Sequence, residues 1–237
     1  ADSPGTTSMR TVGITSWSSV AGETYVAASF SPDSKMVAFA STRSGNSEIC
    51  IKQTTGGDPI QITRNGFYNQ FPVWSPNGQE LTYFSRRGEN NGIWRVAFTG
   101  GQETQITSGI GSSGRPIRWC ADGKIYFQDA FDLFSIDEKS GERKRLTMFE
   151  EQSVRTRAYA VAPDGASFAV SIRESTGWSL KAQSFGQSEL KTIAASKDQI
   201  DRIAFDPAGS AIYYSAGLDG VTQIFRVGEK PDAPVQI

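Results

Sequence analysis

One short segment returns five times along this chain, and it constrains the fold more than any other feature. Phe30-Ser31-Pro32-Asp33-Ser34 is followed by Met36-Val37-Ala38-Phe39. The pattern recurs as Trp74-Ser75-Pro76-Asn77-Gly78 with Leu81-Thr82-Tyr83-Phe84, then as Trp119-Cys120-Ala121-Asp122-Gly123 with Ile125-Tyr126-Phe127. Copies four and five are Val161-Ala162-Pro163-Asp164-Gly165 and Phe205-Asp206-Pro207-Ala208-Gly209. The positions of Pro32, Pro76, Ala121, Pro163 and Pro207 follow one another at steps of 44, 45, 42 and 44 residues. A period so even marks a structural unit that cannot bury its apolar surface alone and must stack on copies of itself.

The local chemistry says what the unit is. Proline presets φ for a turn, Asp or Asn tolerates unusual backbone angles, and glycine adopts positive φ without steric cost. The motif therefore folds a first strand back onto a second. A third strand reads Ile49-Cys50-Ile51, Ile93-Trp94-Arg95-Val96, Leu133-Phe134-Ser135-Ile136, Trp178-Ser179-Leu180 and Ile224-Phe225-Arg226-Val227. A short fourth strand follows at Ile60–Thr63, Thr104–Thr107, Lys144–Thr147, Lys191–Ile193 and Val235–Ile237. These pieces are rich in β-branched and aromatic residues and bounded by Gly, Pro, Asn and Asp, while no stretch sustains a helical period. Four strands in about 44 residues is the size of a propeller blade. The predicted fold is an all-β propeller of four-stranded antiparallel blades. A flexible segment covers 1–11 and the propeller 12–237, with repeats near 12–63, 64–107, 108–147, 148–193 and 194–237. The aromatic residue before each turn (Phe30, Trp74, Trp119, Phe205) is expected to pack between neighbouring blades.

Ring closure has two readings. Val12-Gly13-Ile14-Thr15 looks like a fourth strand with no blade before it, and the sequence stops at Ile237 inside the last one. This favours a part of a six-bladed ring over a five-bladed ring with the N-terminal strand at its seam.

The repeat resembles the WD-like Pro-Asp repeat of TolB-like propellers, carried by Phe30 to Phe39, Ile49 to Thr63, Trp74 to Phe84 and Ile93 to Thr107. Copy three lacks the proline and copy four the aromatic. The resemblance implies a bacterial module in the periplasm or outside the cell that acts through protein contacts. Similar arrays serve as sensor parts of bacterial serine/threonine kinases and winged-helix regulators, or as non-catalytic caps of prolyl-oligopeptidase-type enzymes.

Composition narrows the chemistry. The sequence contains no histidine, which removes Ser-His-Asp and Cys-His catalysis and every histidine-containing zinc or iron site. With 24 basic and 25 acidic residues the net charge is −1, so no global field recruits nucleic acid or anionic lipid. No apolar run approaches the roughly 20 residues of a membrane helix. Cys50 and Cys120 occupy non-equivalent repeat positions and read as two separate buried thiols.

Several motifs yield to a structural reading. Gly109-Ile110-Gly111-Ser112-Ser113-Gly114 fits a dinucleotide fingerprint, but Pro116 and a first-strand tryptophan follow where that site requires a helix. Asp137-Glu138 and Glu150-Glu151 lack the spacing of a metal loop and read as loop charge. Arg143-Lys144-Arg145 falls on an outer strand, where basic residues discourage edge pairing.

The candidate site lies where the first strands meet the central channel. Aligned positions in the five copies are Val26, Gln70, Arg115, Arg157 and Asp201, and these should ring one channel mouth. Neighbouring loops add Tyr25, Phe67, Tyr68, Arg155, Arg173 and Arg202. Arginines with aromatic rims suit a protein or peptide partner, or a small anionic ligand, through charge-assisted hydrogen bonds. The competing structural reading has Asp201 neutralise Arg157. The favoured function is a non-enzymatic interaction or sensing module with no catalytic residues, metal or cofactor. The alternatives are a sensor domain cut from a larger kinase or winged-helix regulator, and a metal-dependent propeller hydrolase or lyase.

Overall fold

The computed structural model describes residues 16–17, 25–111, 114–218, 221–228 and 235–236. Among these the structure is β throughout, apart from one 3₁₀ turn at Gly88–Asn90. The first sheet holds β1 (Ser16–Trp17), β2 (Tyr25–Phe30), β3 (Met36–Ser41), β4 (Glu48–Gln53) and β5 (Gly56–Gln61). The second holds β6 (Tyr68–Trp74), β7 (Glu80–Arg86), β8 (Gly92–Ala97) and β9 (Thr104–Ser108). The third holds β10 (Arg115–Trp119), β11 (Lys124–Asp129), β12 (Asp132–Asp137) and β13 (Arg143–Arg145). The fourth holds β14 (Thr156–Val161), β15 (Ser167–Glu174), β16 (Gly177–Ser184) and β17 (Lys191–Ser196). The fifth holds β18 (Ile200–Phe205), β19 (Ala211–Leu218), β20 (Val221–Gly228) and β21 (Val235–Gln236). Every pairing is antiparallel between sequence neighbours, which gives the five blades of a β-propeller.

The turn motif works as its chemistry requires. In blade one the Ser31 hydroxyl donates to Asp33 at 2.6 Å and accepts from the Met36 amide at 2.9 Å. Blade two repeats this with Ser75, Asn77 and the Glu80 amide. In blade five, Asp206 stands at the serine position, and its carboxylate accepts from the Ala211 amide at 3.1 Å. A carboxylate thus performs the serine's role in this copy.

Blades adhere through their apolar faces. Ala38, Ile49 and Ile51 of the first pack on Trp74, Leu81 and Tyr83 of the second. Phe84 and Ile93 meet Phe127 and Ile136 across the next joint. Tyr126 and Leu133 meet Tyr159 and Phe168, and Ala169 and Leu180 meet Phe205 and Tyr214. Fully burying one such large side chain contributes about 1.5–3 kcal/mol, so the joints supply the core that no single blade has.

Of the pre-turn aromatics, Trp74 and Phe205 pack between blades as expected. The Trp74 indole N–H also donates to the Ser29 carbonyl of the preceding blade at 3.1 Å. Phe30 packs instead with Val37, Phe39 and Cys50 of its own blade. The Trp119 indole donates to Glu138, also in its own blade, at 2.6 Å. Glu138, read as plain loop charge, therefore has a structural partner.

The fourth strands are displaced from their expected ends. Thr63 and Thr147 leave the ladder, and their hydroxyls accept the Ile49 and Leu133 amides at 2.9 and 3.0 Å. A side-chain oxygen takes the place of a backbone carbonyl as acceptor there, while the Ile49 and Leu133 carbonyls still accept from the Ile62 and Leu146 amides. The strand expected at Val12–Thr15, the N-terminal segment and Ile237 lie outside the described residues. The strand beyond them, β1, pairs with the inner edge of blade one, with Ser16 opposite Val26 and Trp17 opposite Tyr25. A hairpin to the nearest downstream strand closes the shortest loop and so costs the least chain entropy. Cys50 and Cys120 are both buried thiols in different blades. Arg143 and Arg145 lie on the outermost strand of blade three, where Arg145 pairs with Asp132 and Glu151 at 2.6 and 2.7 Å.

Candidate functional site

The first strands of successive blades touch one another in the order β2, β6, β10, β14, β18, and so line a common axis. Each is interrupted within the same short stretch of the repeat, ahead of its turn. Register shifts fall between Val26 and Ser29, Gln70 and Val73, Pro116 and Arg118, Thr156 and Tyr159, and Ile200 and Arg202. A bulge adds a residue to one strand and re-aims side chains, and bulges concentrate beside functional sites. Ala27 and Phe71, within the first two bulges, adopt φ of 52° and 55°, a left-handed conformation that costs a non-glycine residue roughly 1–2 kcal/mol.

Strand direction places the candidates together. Tyr68 pairs with Arg86, so the start of each first strand lies at the same end as the turn between second and third strands. The connectors from one blade to the next arrive at that end too. This connector face carries Gln70, Arg115, Arg157, Asp201, Tyr68 and Arg202 at or near the starts of first strands. The Pro-Asp turns form the opposite face.

The arginine rim is built across blades. Arg157 Nε of blade four donates to Asp201 Oδ1 of blade five at 2.6 Å, and the two side chains are 51% and 39% exposed. Gln199 Nε2 donates to the same oxygen at 2.5 Å. Desolvation would raise the Asp201 pKa, but the hydrogen bonds from Arg157 and Gln199 and the charges of Arg157 and Arg202 outweigh it and bring it below the ordinary carboxylate range. The structural reading of this pair is thus correct as far as it goes.

Arg115 differs. Its guanidinium lies 5.3 Å from the ring centroid of Phe71 in the preceding blade, within cation–π range. No carboxylate meets it among the described residues. The residue is exposed. Desolvation, then the charges of Arg202 and Arg157, lower its pKa from the ordinary value. Next to it, Gln70 Nε2 donates to the Tyr68 hydroxyl at 2.6 Å. The side chains of Tyr25 and Val26 lie outside the described structure.

Phe131 and Met148, which sequence reasoning missed, join the expected Phe67 and Tyr68 on this face. Phe131 and Met148 are 37% and 57% exposed, and Phe67 and Tyr68 are each 41% exposed. Phe131 sits beside the rim because its carbonyl accepts from Thr156 Oγ1 at 2.8 Å and from the Tyr159 hydroxyl at 2.7 Å. Arg86 lies 5.0 Å from the Tyr68 ring centroid. Arg87 lies between Phe67 and Trp94, at 4.9 and 3.4 Å from their ring centroids, and forms an ion pair with Glu103.

Buried carboxylates fix this face in shape. Glu48, 3% exposed, accepts from Thr63 Oγ1 at 2.5 Å, Asn69 Nδ2 at 2.8 Å and the Gly66 amide at 2.9 Å. Asp132 does the same for the next-but-one connector, accepting from Thr147 Oγ1 and the Phe149 amide, each at 2.7 Å. A readable signal existed: an acid opening the third strand and a threonine closing the fourth. The Gly109–Gly114 stretch is a connector whose Ile110, 3% exposed, packs in the joint with Phe84 and Phe127; residues 112–113 lie outside the described structure.

The fold is a five-bladed propeller that carries arginines and exposed aromatic side chains on its connector face. Residues 7–147, more than half of the chain, match the family described as the TolB beta propeller domain, and the chain belongs to that family. It is 30% identical over 114 residues to the Tol-Pal system protein TolB of Desulfosudis oleivorans, covering 47% of this chain and 26% of that one. It is 29% identical over 120 residues to an uncharacterized peptidase, YuxL, of Bacillus subtilis, covering 50% of this chain and 18% of that protein. The solved structure of a putative TolB from Agrobacterium tumefaciens matches with TM-score 0.74 at 17% identity, over 90% of this chain and 79% of that one. The chain spans about a third or less of the length of the curated relatives it matches.

Proposed function

We propose that this propeller is a non-enzymatic recognition module that binds a protein or peptide partner, or a small anion, over the channel mouth of its connector face. The observation that carries the reading is the asymmetry of the two faces. The exposed Phe67, Tyr68, Phe131 and Met148 share the connector face with Arg115 and Arg157. The opposite face consists of tight turns that satisfy their own polar groups. Exposed aromatics beside arginine are the composition of binding hot spots. The absence of histidine from the sequence supports a binding role over nucleophilic catalysis. Among the described residues no helix is long and apolar enough to cross a membrane. The resemblance to TolB-like propellers supports a bacterial module working in the periplasm or outside the cell.

The test places a photo-crosslinking amino acid at Phe131 on the connector face and, separately, at Lys35 on the turn face, in cells of the source bacterium. Adducts from Phe131 and none from Lys35 support the reading. Adducts from Lys35 alone would refute it.

A further inference from the structure

We infer that the channel mouth takes a carboxylate-bearing peptide segment, and that Asp201 occupies Arg157 as an internal stand-in for that segment's acidic side chain. The inference rests on the proposed recognition role and specifies its ligand chemistry.

Four observations carry it. The fold itself places a carboxylate against Arg157, 44 residues away in sequence and one blade further on, so this position accepts a carboxylate sterically and electrostatically. The contact is made through Nε alone, which leaves the terminal nitrogens of a planar five-donor fork for a second acceptor. In the adjacent blade Arg115 lies over a ring face and meets no carboxylate among the described residues, so its hydrogen-bonding capacity is open to a ligand. The flanking surface is aromatic and apolar, with Tyr68 and Phe131 exposed on either side of the Arg115 first strand.

This arrangement favours an acidic peptide over a free phosphate. A phosphate site gathers several donors on one small group, whereas these guanidiniums come from separate blades and Arg115 lies over the Phe71 ring. An extended segment that alternates acidic and apolar side chains matches both features, with charged groups on the arginines and apolar ones on the rings. Asp201 then sets the threshold: a ligand must compete with a carboxylate already in place, which screens out weak single anions.

The test uses the whole chain and two dye-labelled peptides, one of alternating leucine and paired glutamates, the other with every glutamate replaced by glutamine. Fluorescence anisotropy reads binding, and thermal melts confirm that each variant is folded. The glutamate peptide is expected to bind at least about tenfold more tightly than the glutamine peptide, as charge-assisted bonds require. The double variant Arg115→Ala, Arg157→Ala should lose at least about tenfold in affinity for it. Asp201→Asn, which keeps the shape and removes the competing charge, should gain about threefold or more.

Equal binding of the two peptides, or a loss of affinity in Asp201→Asn, overturns the inference. So does full displacement of the glutamate peptide by millimolar inorganic phosphate, which would reassign the mouth to a small oxyanion. If neither peptide binds while Phe131 still crosslinks a partner, the inference fails and the recognition role stands. If the crosslinking fails as well, both fall.

Discussion

Arg157 and Asp201 stand at the same position of consecutive repeats, and their side chains meet at 2.6 Å across the joint between blades four and five. Both are substantially exposed, at 51% and 39%. Water screens such a pair, and it contributes at most about 1 kcal/mol to stability. Arg157→Ala is therefore expected to leave the melting temperature nearly unchanged while weakening partner capture. A calorimetric scan paired with a pull-down checks this; a large fall in melting temperature would make the residue structural.

The turn motif offers a matched pair of substitutions. Ser34 holds the position that is glycine in the second copy and has a φ of 58°; Gly78 has a φ of 69°, with Pro32 3.5 Å from where a Cβ would sit. A non-glycine residue in this region costs roughly 1–2 kcal/mol. Ser34→Gly should accordingly raise stability by up to about 1 kcal/mol, and Gly78→Ala should lower it by about as much. Urea unfolding midpoints measure both.

Removal of the Glu48 carboxylate leaves the Thr63 hydroxyl, the Asn69 amide and the Gly66 N–H without their acceptor in a buried setting. Stranded buried donors are costly, and Glu48→Ala is expected to destabilise the protein by about 3 kcal/mol. Glu48→Gln keeps an acceptor oxygen and should cost less than half of that. Denaturant titration of both variants separates loss of the network from loss of charge.

Acid should destabilise the fold through specific carboxylates. The Ser31 hydroxyl and the Lys35 amide lower the Asp33 pKa. At Asp201 and Asp206, hydrogen bonds overcome a desolvation that acts in the opposite sense. A carboxylate with a depressed folded-state pKa stabilises the native state above its unfolded value, about 3.9 for Asp, and loses that contribution as pH falls through the lower folded value. Melting temperatures should stay level from about pH 7 to about pH 5 and drop below about pH 4. Asp33→Asn combined with Asp206→Asn should lower the neutral melting temperature and flatten the acid limb.

The Cys120 thiol is 1% exposed and lies 3.5 Å from the Ala162 carbonyl of the next blade. Burial, with the nearby Arg118 charge opposing it, pushes its pKa up to about 12. An elevated folded pKa means that the protonated form is the stabilising one and that this contribution fades only as pH rises above the unfolded value of about 8.5. At about pH 8, iodoacetamide should not label Cys120 in the native protein and should do so at once in urea. Mass spectrometry after brief exposure reads the difference.

The repeat alone determined the blade, its four strands and the chemistry of its turns, because these depend on contacts among residues a few positions apart. Ser31, Asp33 and Met36 need only one another to close their turn, and the same is true of Asp206 and Ala211. Aligning copies also placed Gln70, Arg115, Arg157 and Asp201 on one rim, since equivalent positions of stacked units fall at equivalent heights. Tertiary structure decided which of these side chains meet. Arg157 reaches Asp201 and Arg115 reaches Phe71 because long side chains extend from one first strand to a neighbouring blade 44 residues away in the chain. Met148 joins the face only once Asp132 pins its connector, and Phe131 only through the bonds its carbonyl accepts from Thr156 and Tyr159 of the next blade. Those pairings depend on how blades rotate against one another, a quantity set by the sum of packing at each joint and encoded in no single segment.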